Sequence, residues 1–222
     1  MSFIVAIDGP AGTGKGTVTK IISQKLNLVN IDTGAMYRCV ALDVLNKNVK
    51  IDDDDGITKI LDNINIELKN GPEGQLVYLN GQDVTEEIRS KKVNEIVSIV
   101  SGIKKVRLYM SDLQRKMGEK HDSILEGRDI GTYVFPNADV KIYLEADVEE
   151  RARRRFNQNK EKGIDMSYED VLKSIIIRDK NDKEKEIGAL KKADDAVLID
   201  TTHLTIDEVV QKIVSLINEK HK

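Results

Sequence analysis

The sequence predicts an α/β protein in which a parallel sheet is covered by helices on both faces. Short apolar runs alternate along the chain with stretches whose apolar residues recur at helical spacing. Strands joined by helices run parallel and are buried on both faces, so their sequences are apolar throughout. One stretch, at about 63–90, departs from this alternation and predicts a small antiparallel β insert.

The first elements follow directly from these runs. Phe3–Ile7 predicts a buried strand, and the apolar residues within 18–26 predict a helix after a glycine-rich turn. Leu28–Ile31 predicts a second strand, and Asp32 is placed to cap the helix that follows. Three later apolar runs predict strands at Ile124–Leu125, Val140–Leu144 and Ala196–Ile199. Apolar residues at helical spacing from 206 to 217 predict the last helix.

The insert is predicted from strict alternation, which is typical of a half-buried strand. Ile64, Ile66 and Leu68 alternate with polar residues, and Leu76–Leu79 forms a second run. The glycines and the proline of residues 70–74 separate the two runs. Asn80-Gly81 then marks a tight hairpin turn.

Composition narrows the class of protein. The 222 residues are 40% hydrophobic and 33% charged, which favours one soluble domain. A net charge of −3 disfavours a nucleic-acid polymer as partner. Cys39 is the single cysteine, so an intrachain disulfide is excluded. Neither a signal peptide nor a membrane span is predicted, and we expect a cytoplasmic monomer.

The turn after the first strand predicts a phosphate-binding loop. Its glycines let successive N–H groups face one anion, and the following helix adds its positive N-terminal end. Lys15 supplies a mobile cation for the outer phosphates of a nucleoside triphosphate. The residues of this cradle are Gly9, Pro10, Ala11, Gly12, Thr13, Gly14, Lys15, Gly16 and Thr17.

The end of the loop departs from the common pattern. Gly16 stands where most such loops carry the hydroxyl that contacts magnesium, and the hydroxyl comes one residue later, at Thr17. This ending resembles that of the nucleoside monophosphate kinases. We therefore expect ATP and Mg²⁺ as cofactors, with Thr17 as the protein contact to the metal.

A cluster of arginines follows the predicted strand Val140–Leu144. Arg151 lies one helical turn from Arg154 and Arg155, and Arg153 lies beside them. Such a cluster could close over a triphosphate and exclude water. The alternative is a solvated helix face balanced by nearby glutamates. The predicted lid spans about 148–163. Together with the insert at about 63–90, it divides the chain so that the predicted core comprises about 1–62, 91–147 and 164–222.

A second set of residues indicates an acceptor site. Three of its groups lie near predicted strand ends, where open α/β sheets bind their ligands. Taken singly, each arginine of the set is more typical of a surface side chain. The set comprises Thr33, Tyr37, Arg38, Arg107, Arg128, Asp129 and Arg178.

Four motifs together are more specific than the loop alone. IDGPAGTGKGT, IDTGAMYR, EGRDIGTYVFP and IIIRDKND resemble those of the bacterial cytidylate kinases, and the resemblance spans the whole chain. The insert resembles the monophosphate-binding domain of that family. The resemblance implies ATP-dependent phosphorylation of CMP and dCMP, in line and without a covalent intermediate.

The resemblance also implies residue roles. Residues 9–17 would hold ATP, and Thr33, Arg107 and Asp129 would face the cytosine ring. Arg38 and Arg128 would serve the acceptor phosphate, and Arg178 and Asp182 would lie near the sugar. Lys185 stands where the family usually has an arginine, so it keeps the charge without the planar fork of donors. The predicted catalytic residues are Lys15, Arg151, Arg154, Arg155 and Arg178.

Elementary chemistry supports the base assignment. A carboxylate at Asp129 can accept from the N4 amine of cytosine and would repel the carbonyl that uracil carries there. No general base is needed, because the acceptor oxygen is already ionised. Three alternatives remain: a kinase of another small acceptor, a GTP-hydrolysing switch, and a binding module without turnover. An Asn-Lys-x-Asp segment, which would read guanine, does not occur in the sequence.

Overall fold

The computed structural model describes residues 2–71, 74–161 and 163–221. In chain order these residues form β1 (Ile4–Asp8), α1 (Lys15–Leu26), β2 (Val29–Asp32), α2 (Thr33–Asn46), α3 (Asp54–Asn63), β3 (Ile66–Gly71), β4 (Gly74–Leu79), β5 (Gln82–Asp83), α4 (Lys91–Val100), α5 (Lys104–Gly118), β6 (Ser123–Gly127), β7 (Val140–Glu145), α6 (Val148–Glu161), α7 (Tyr168–Lys183), β8 (Val197–Asp200) and α8 (Ile206–Lys220). Glu87–Arg89 is a short 3₁₀ turn, and Ile130–Val134 is a π-helical turn.

The described residues form a five-stranded parallel sheet in the order β2-β6-β1-β7-β8. Each strand lies within about two residues of its predicted position, so the predicted fold class is confirmed. Asp32 caps α2 as expected, because its Oδ1 accepts from the Ala35 N–H at 2.9 Å. No helix in the described ranges combines the length and apolar character that crossing a bilayer requires.

Two apolar layers cover the two faces of the sheet. Ile4 and Ala6 of β1 point into the layer that contains α2, α4 and α5. Val5 and Ile7 point into the opposite layer, which contains α1 and α8. A central strand that is buried on both faces explains why the predicted strands are apolar without alternation.

The insert is the antiparallel sheet β3-β4-β5. Asn80 and Gly81 both have positive φ, at 51° and 83°, which is the backbone of the tight hairpin turn that their sequence predicts. Val77 and Leu79 pack into the same apolar cluster as α2 and α4. Pro72 and Glu73 of the predicted turn lie outside the described residues, as does residue 162 of the predicted lid. The division into core, insert and lid stays a prediction.

Candidate active site

The loop between β1 and α1 passes through backbone conformations that favour glycine. Gly9, Gly12 and Gly14 have φ of 146°, 84° and 89°. A Cβ on Gly9 would lie 2.1 Å from the Leu144 carbonyl oxygen of β7, so only glycine lets the loop leave the sheet here. The N-terminus of α1 begins at Lys15 and points its free N–H groups into the loop.

Lys15 folds back across this loop. Its Nζ donates to the carbonyl oxygens of Gly9 and Pro10, both at 2.7 Å, and the side chain is buried. Burial, and then the charge of Arg128, lower the pKa of Lys15 to about 7, while Glu126 and Asp8 oppose the shift. The ammonium group therefore contacts the loop backbone directly and is near enough to Arg128 for that charge to lower its pKa.

Gly16 and Thr17 lie exposed on the first turn of α1. A Cβ on Gly16 would lie 3.0 Å from the Glu126 carboxylate. A side chain at this position would therefore crowd the Glu126 carboxylate near the end of β6. Burial, and then the Asp32 carboxylate, raise the pKa of Glu126 to about 8.

The predicted lid arginines are placed differently from one another. Arg151 donates to the Ala11 carbonyl of the loop at 3.0 Å and pairs with Asp179 of α7 at 2.7 Å. Arg154 donates to the Thr201 carbonyl at 2.6 Å and to Glu150 at 2.9 Å. Arg153 is exposed and pairs with Glu150. Most of the mutual repulsion expected in this cluster is therefore relieved by protein partners.

Arg155 differs from its neighbours, because it makes no hydrogen bond or ion pair with the residues that the structure describes. Partial burial and the charge of Arg89 lower its pKa. Arg178 likewise has no hydrogen-bond or ion-pair partner in the described ranges. Burial, followed by the charge of Arg128, lowers the pKa of Arg178 to about 10.

These two side chains belong to a cluster of guanidinium groups contributed by separate elements. Burial, and then the charges of Arg178, Arg155 and Arg89, lower the pKa of Arg38 to about 9, although Asp32 opposes them. Arg38 also donates to Asn94 Oδ1 at 2.7 Å and to the Ile88 carbonyl at 3.2 Å. Like charges gathered in a partly buried site favour an anionic ligand. The guanidinium cluster consists of Arg38, Arg89, Arg128, Arg155 and Arg178.

Asp182 organises one side of this cluster. It accepts from Arg128 Nε at 2.8 Å and from Lys185 Nζ at 2.7 Å, and Lys185 also donates to Ser101 at 3.0 Å. Burial alone would raise the pKa of Asp182, but Arg128 and Lys185 hold it well below its usual range. Asp182, predicted to lie near the sugar, is thus brought together with Lys185, which stands where the family usually has an arginine.

Arg107 and Asp129 form an ion pair in the interior, with side chains 2% and 4% exposed. Arg107 also lies over the ring of Tyr37, 5.1 Å from its centroid. Burial raises the pKa of Asp129, against the pull of Arg107. Thr33 lies close by and donates to the Glu126 carbonyl at 2.6 Å. The residues predicted to read the base therefore lie together at the ends of β2 and β6.

Three site residues were missed by the sequence analysis. Arg89 lies in the short turn after β5, and no motif marks it. Asp8 and Glu126 are acids at the ends of the apolar strands β1 and β6. An acid that ends a buried strand beside a ligand crevice is a signal that could have found both.

The glycine-rich loop after β1 and the arginines gathered near the end of β6 lie at one edge of a parallel sheet, an arrangement typical of a P-loop kinase. The family model for cytidylate kinase matches residues 5–219. Cytidylate kinase of Bacillus velezensis is 49% identical over 98% of this chain and 97% of that protein. Cytidylate kinase of Carboxydothermus hydrogenoformans is 48% identical over 98% of this chain and 98% of that protein. Cytidylate kinase of Bacillus subtilis is 46% identical over 98% of this chain and 97% of that protein.

The chain belongs to the cytidylate kinase family and is a nucleoside monophosphate kinase. A crystal structure of an uncharacterized protein from Eubacterium ventriosum matches 99% of both chains with a TM-score of 0.54 and 12% identity. That likeness supports the fold alone.

Proposed function

We propose that this kinase transfers the terminal phosphoryl group of ATP to CMP and to dCMP, with Mg²⁺, in line and without a covalent intermediate. The observation that carries the proposal is the shared edge of β1 and β6, where Asp8 and Gly127 are register partners. The phosphate loop follows β1, and the residues 128 and 129 of the acceptor site follow β6. Two anions bound there would face each other across Lys15.

The donor side consists of residues 9–17, with Lys15 as the cation between the two substrates. Phosphoryl transfer is catalysed chiefly by positioning and by positive charge, so Arg154, Arg155 and Arg178 act electrostatically. Arg151 acts through its contact with the loop, by holding α6 in place. Magnesium would be held mainly by phosphate oxygens and water, with the Thr17 hydroxyl as protein contact. The Thr17 hydroxyl, exposed on the first turn of α1, is a hard oxygen donor of the kind that fits this ion.

The acceptor side divides between phosphate, sugar and base. Arg38, Arg89 and Arg128 bind the phosphate of CMP, and Arg178, Asp182 and Lys185 lie near the sugar. Asp129 accepts from the cytosine N4 amine while Arg107 donates to the acceptors of the ring. Thr33 and Tyr37 line the base pocket. UMP is disfavoured because its O4 would face a carboxylate and leave buried polar groups unpaired.

No residue is needed to remove a proton, because the attacking phosphate oxygen is ionised at neutral pH. The chain's own contribution is alignment of the two phosphates, exclusion of water and neutralisation of charge. Closure of the predicted lid and insert over both nucleotides serves the same end. Water is the competing acceptor, so a closed site protects ATP from hydrolysis.

Acceptor profiling tests the proposal. Initial rates with ATP and Mg²⁺ are measured for CMP, dCMP, UMP and AMP in a coupled assay for ADP. We expect the largest kcat/KM for CMP, a comparable value for dCMP and much lower values for the others. A preference for AMP or UMP, or ADP formation that no acceptor stimulates, contradicts the proposal.

A further inference from the structure

Asp8 is a buried acid that the mechanism above does not use. It ends β1, directly before the first glycine of the phosphate loop, and is 4% exposed. Both oxygens of its carboxylate accept backbone hydrogen bonds from another segment. Oδ1 accepts from the N–H of Ile130 at 2.8 Å, and Oδ2 accepts from the N–H of Gly131 at 2.7 Å.

These two N–H groups open the π-helical turn Ile130–Val134. The first N–H groups of a helical turn have no partner within the turn, and the side chain of the N-cap residue usually accepts from them. Asp129 occupies the N-cap position here, and aspartate is among the strongest capping residues. Yet its side chain makes no capping bond, and its carboxylate pairs with Arg107 instead.

We propose that Asp8 is a positioning residue for base recognition, because it caps this turn in place of Asp129 and so frees the Asp129 carboxylate to face Arg107 and the cytosine ring. The inference rests on the proposed function of Asp129 as base reader. Without Asp8, the Asp129 carboxylate has an alternative partner within its own turn, and the base pocket loses its acceptor.

The two backbone bonds to Asp8 favour its charged form, against the burial of the side chain. Burial raises the pKa of Asp8 to about 7, the bonds from Gly131 and Ile130 pull it down, and the nearby Asp129 carboxylate raises it. Lys15 adds a smaller favourable charge from the donor side. Because Lys15 is near, a decisive experiment has to separate an effect on the acceptor base from an effect on ATP.

Asp8→Asn is the variant that makes this separation. It keeps the shape of the side chain but sets an amide NH₂ against one of the two N–H groups. Steady-state kinetics with CMP and with UMP give the ratio of the two kcat/KM values. We expect this ratio to fall about tenfold or more, mainly through KM for CMP, since hydrogen-bonded sites owe their discrimination to such groups. KM for ATP should change less than about twofold.

Asp139→Asn is the matched control. Asp139 Oδ2 accepts from the Ile4 N–H at 2.7 Å, so it makes the same kind of bond at the opposite end of β1, away from the site. The Asp139→Asn variant should keep the wild-type ratio of kcat/KM for CMP to kcat/KM for UMP. If D8N does not fold, Asp8→Glu replaces it, since its longer side chain displaces the turn, and the same fall in the ratio is expected.

The double variant Asp8→Asn/Asp129→Asn separates the possible failures. If Asp8 acts through Asp129, the double variant has the same CMP to UMP ratio as Asp129→Asn alone. A lower ratio in the double variant than in Asp129→Asn alone overturns the inference. So does an unchanged ratio in D8N, or in D8E where that variant replaces it, while Asp129→Asn lowers the ratio. An unchanged ratio in Asp129→Asn itself contradicts the proposed function of Asp129 instead.

Discussion

The two regions proposed to bind the two nucleotides are built in opposite ways. The proposed donor region is one continuous stretch, residues 9–17, in which the backbone would do most of the binding. The proposed acceptor region is assembled from α2, the turn after β5, α5, the end of β6 and α7, and side chains would do the binding. A single substitution in a local site is expected to abolish most of its function, whereas a single substitution in a dispersed site is expected to weaken function only in part.

The largest expected effect lies in the donor region. Lys15→Ala removes the ammonium group between the two substrates, and kcat should fall by about three orders of magnitude, as for a preorganised charge that contacts the transferred group. The coupled assay measures the loss, and circular dichroism checks that the fold persists. Lys25→Ala, in the last turn of the same helix, is the control and should keep full activity. Activity retained in Lys15→Ala would show that the loop assignment is wrong.

The next effect tests what holds the dispersed region together. Asp182→Asn leaves Arg128 and Lys185 without their shared partner, and the free energy of unfolding should fall by about 3 kcal/mol at pH 7. Since the folded pKa of Asp182 is depressed, this contribution is present above the unfolded pKa of about 4. The difference from wild type should therefore shrink progressively as the pH falls from about 4 toward the much lower folded pKa of Asp182.

Denaturant unfolding at pH 7 and at about pH 2, well below the unfolded pKa of about 4, measures that difference. Asp112→Asn is the control, because Asp112 pairs with Arg115 at 2.9 Å on an exposed helix face. Its cost should stay below about 1 kcal/mol at both pH values. An equal cost for the two variants would mean that Asp182 is no more than a surface partner.

A smaller expected effect tests whether the positive charge at the proposed acceptor site is shared among the five arginines of the guanidinium cluster. Arg89→Ala removes one guanidinium of five, and kcat/KM for CMP should fall about tenfold, the value of one charge-assisted hydrogen bond. KM for ATP should stay within about twofold. Arg153→Ala, which removes an exposed arginine with 69% of its side chain accessible, should change neither constant. Identical behaviour of the two variants would remove Arg89 from the acceptor site.

The smallest effect concerns Lys185. Lys185→Arg restores a planar fork of donors, yet Lys185 already bonds both Asp182 and Ser101. We expect KM for CMP to change less than about threefold, because the charge and its carboxylate partner are kept. Lys185→Met, which removes the charge, should raise that KM by about tenfold. A large change in Lys185→Arg would show that the geometry of this side chain matters more than its charge.

The same contrast explains what could be predicted from the sequence. The strands and the loop were predictable because each depends on neighbours in the chain: apolar runs, glycines and one lysine. The pairing of Arg107 with Asp129 could be predicted only from the family resemblance, since nothing in their local sequence places the two side chains together. Asp8 was missed because its role depends on a contact with Ile130, across 122 residues of the chain. Arg89 was missed because the arginines whose charges it acts on, Arg38 and Arg155, lie on other elements.

Arg151 links the two proposed binding regions. One guanidinium contacts the phosphate loop at Ala11, the chain just after β7 at Ala146 and α7 at Asp179. Helix α7 also carries Arg178 and Asp182, so a shift of that helix toward a bound monophosphate would be transmitted through Arg151 to the phosphate loop. Affinities that are coupled in this way are reciprocal. If one bound nucleotide raises the affinity for the other by some factor, the second raises the affinity for the first by the same factor.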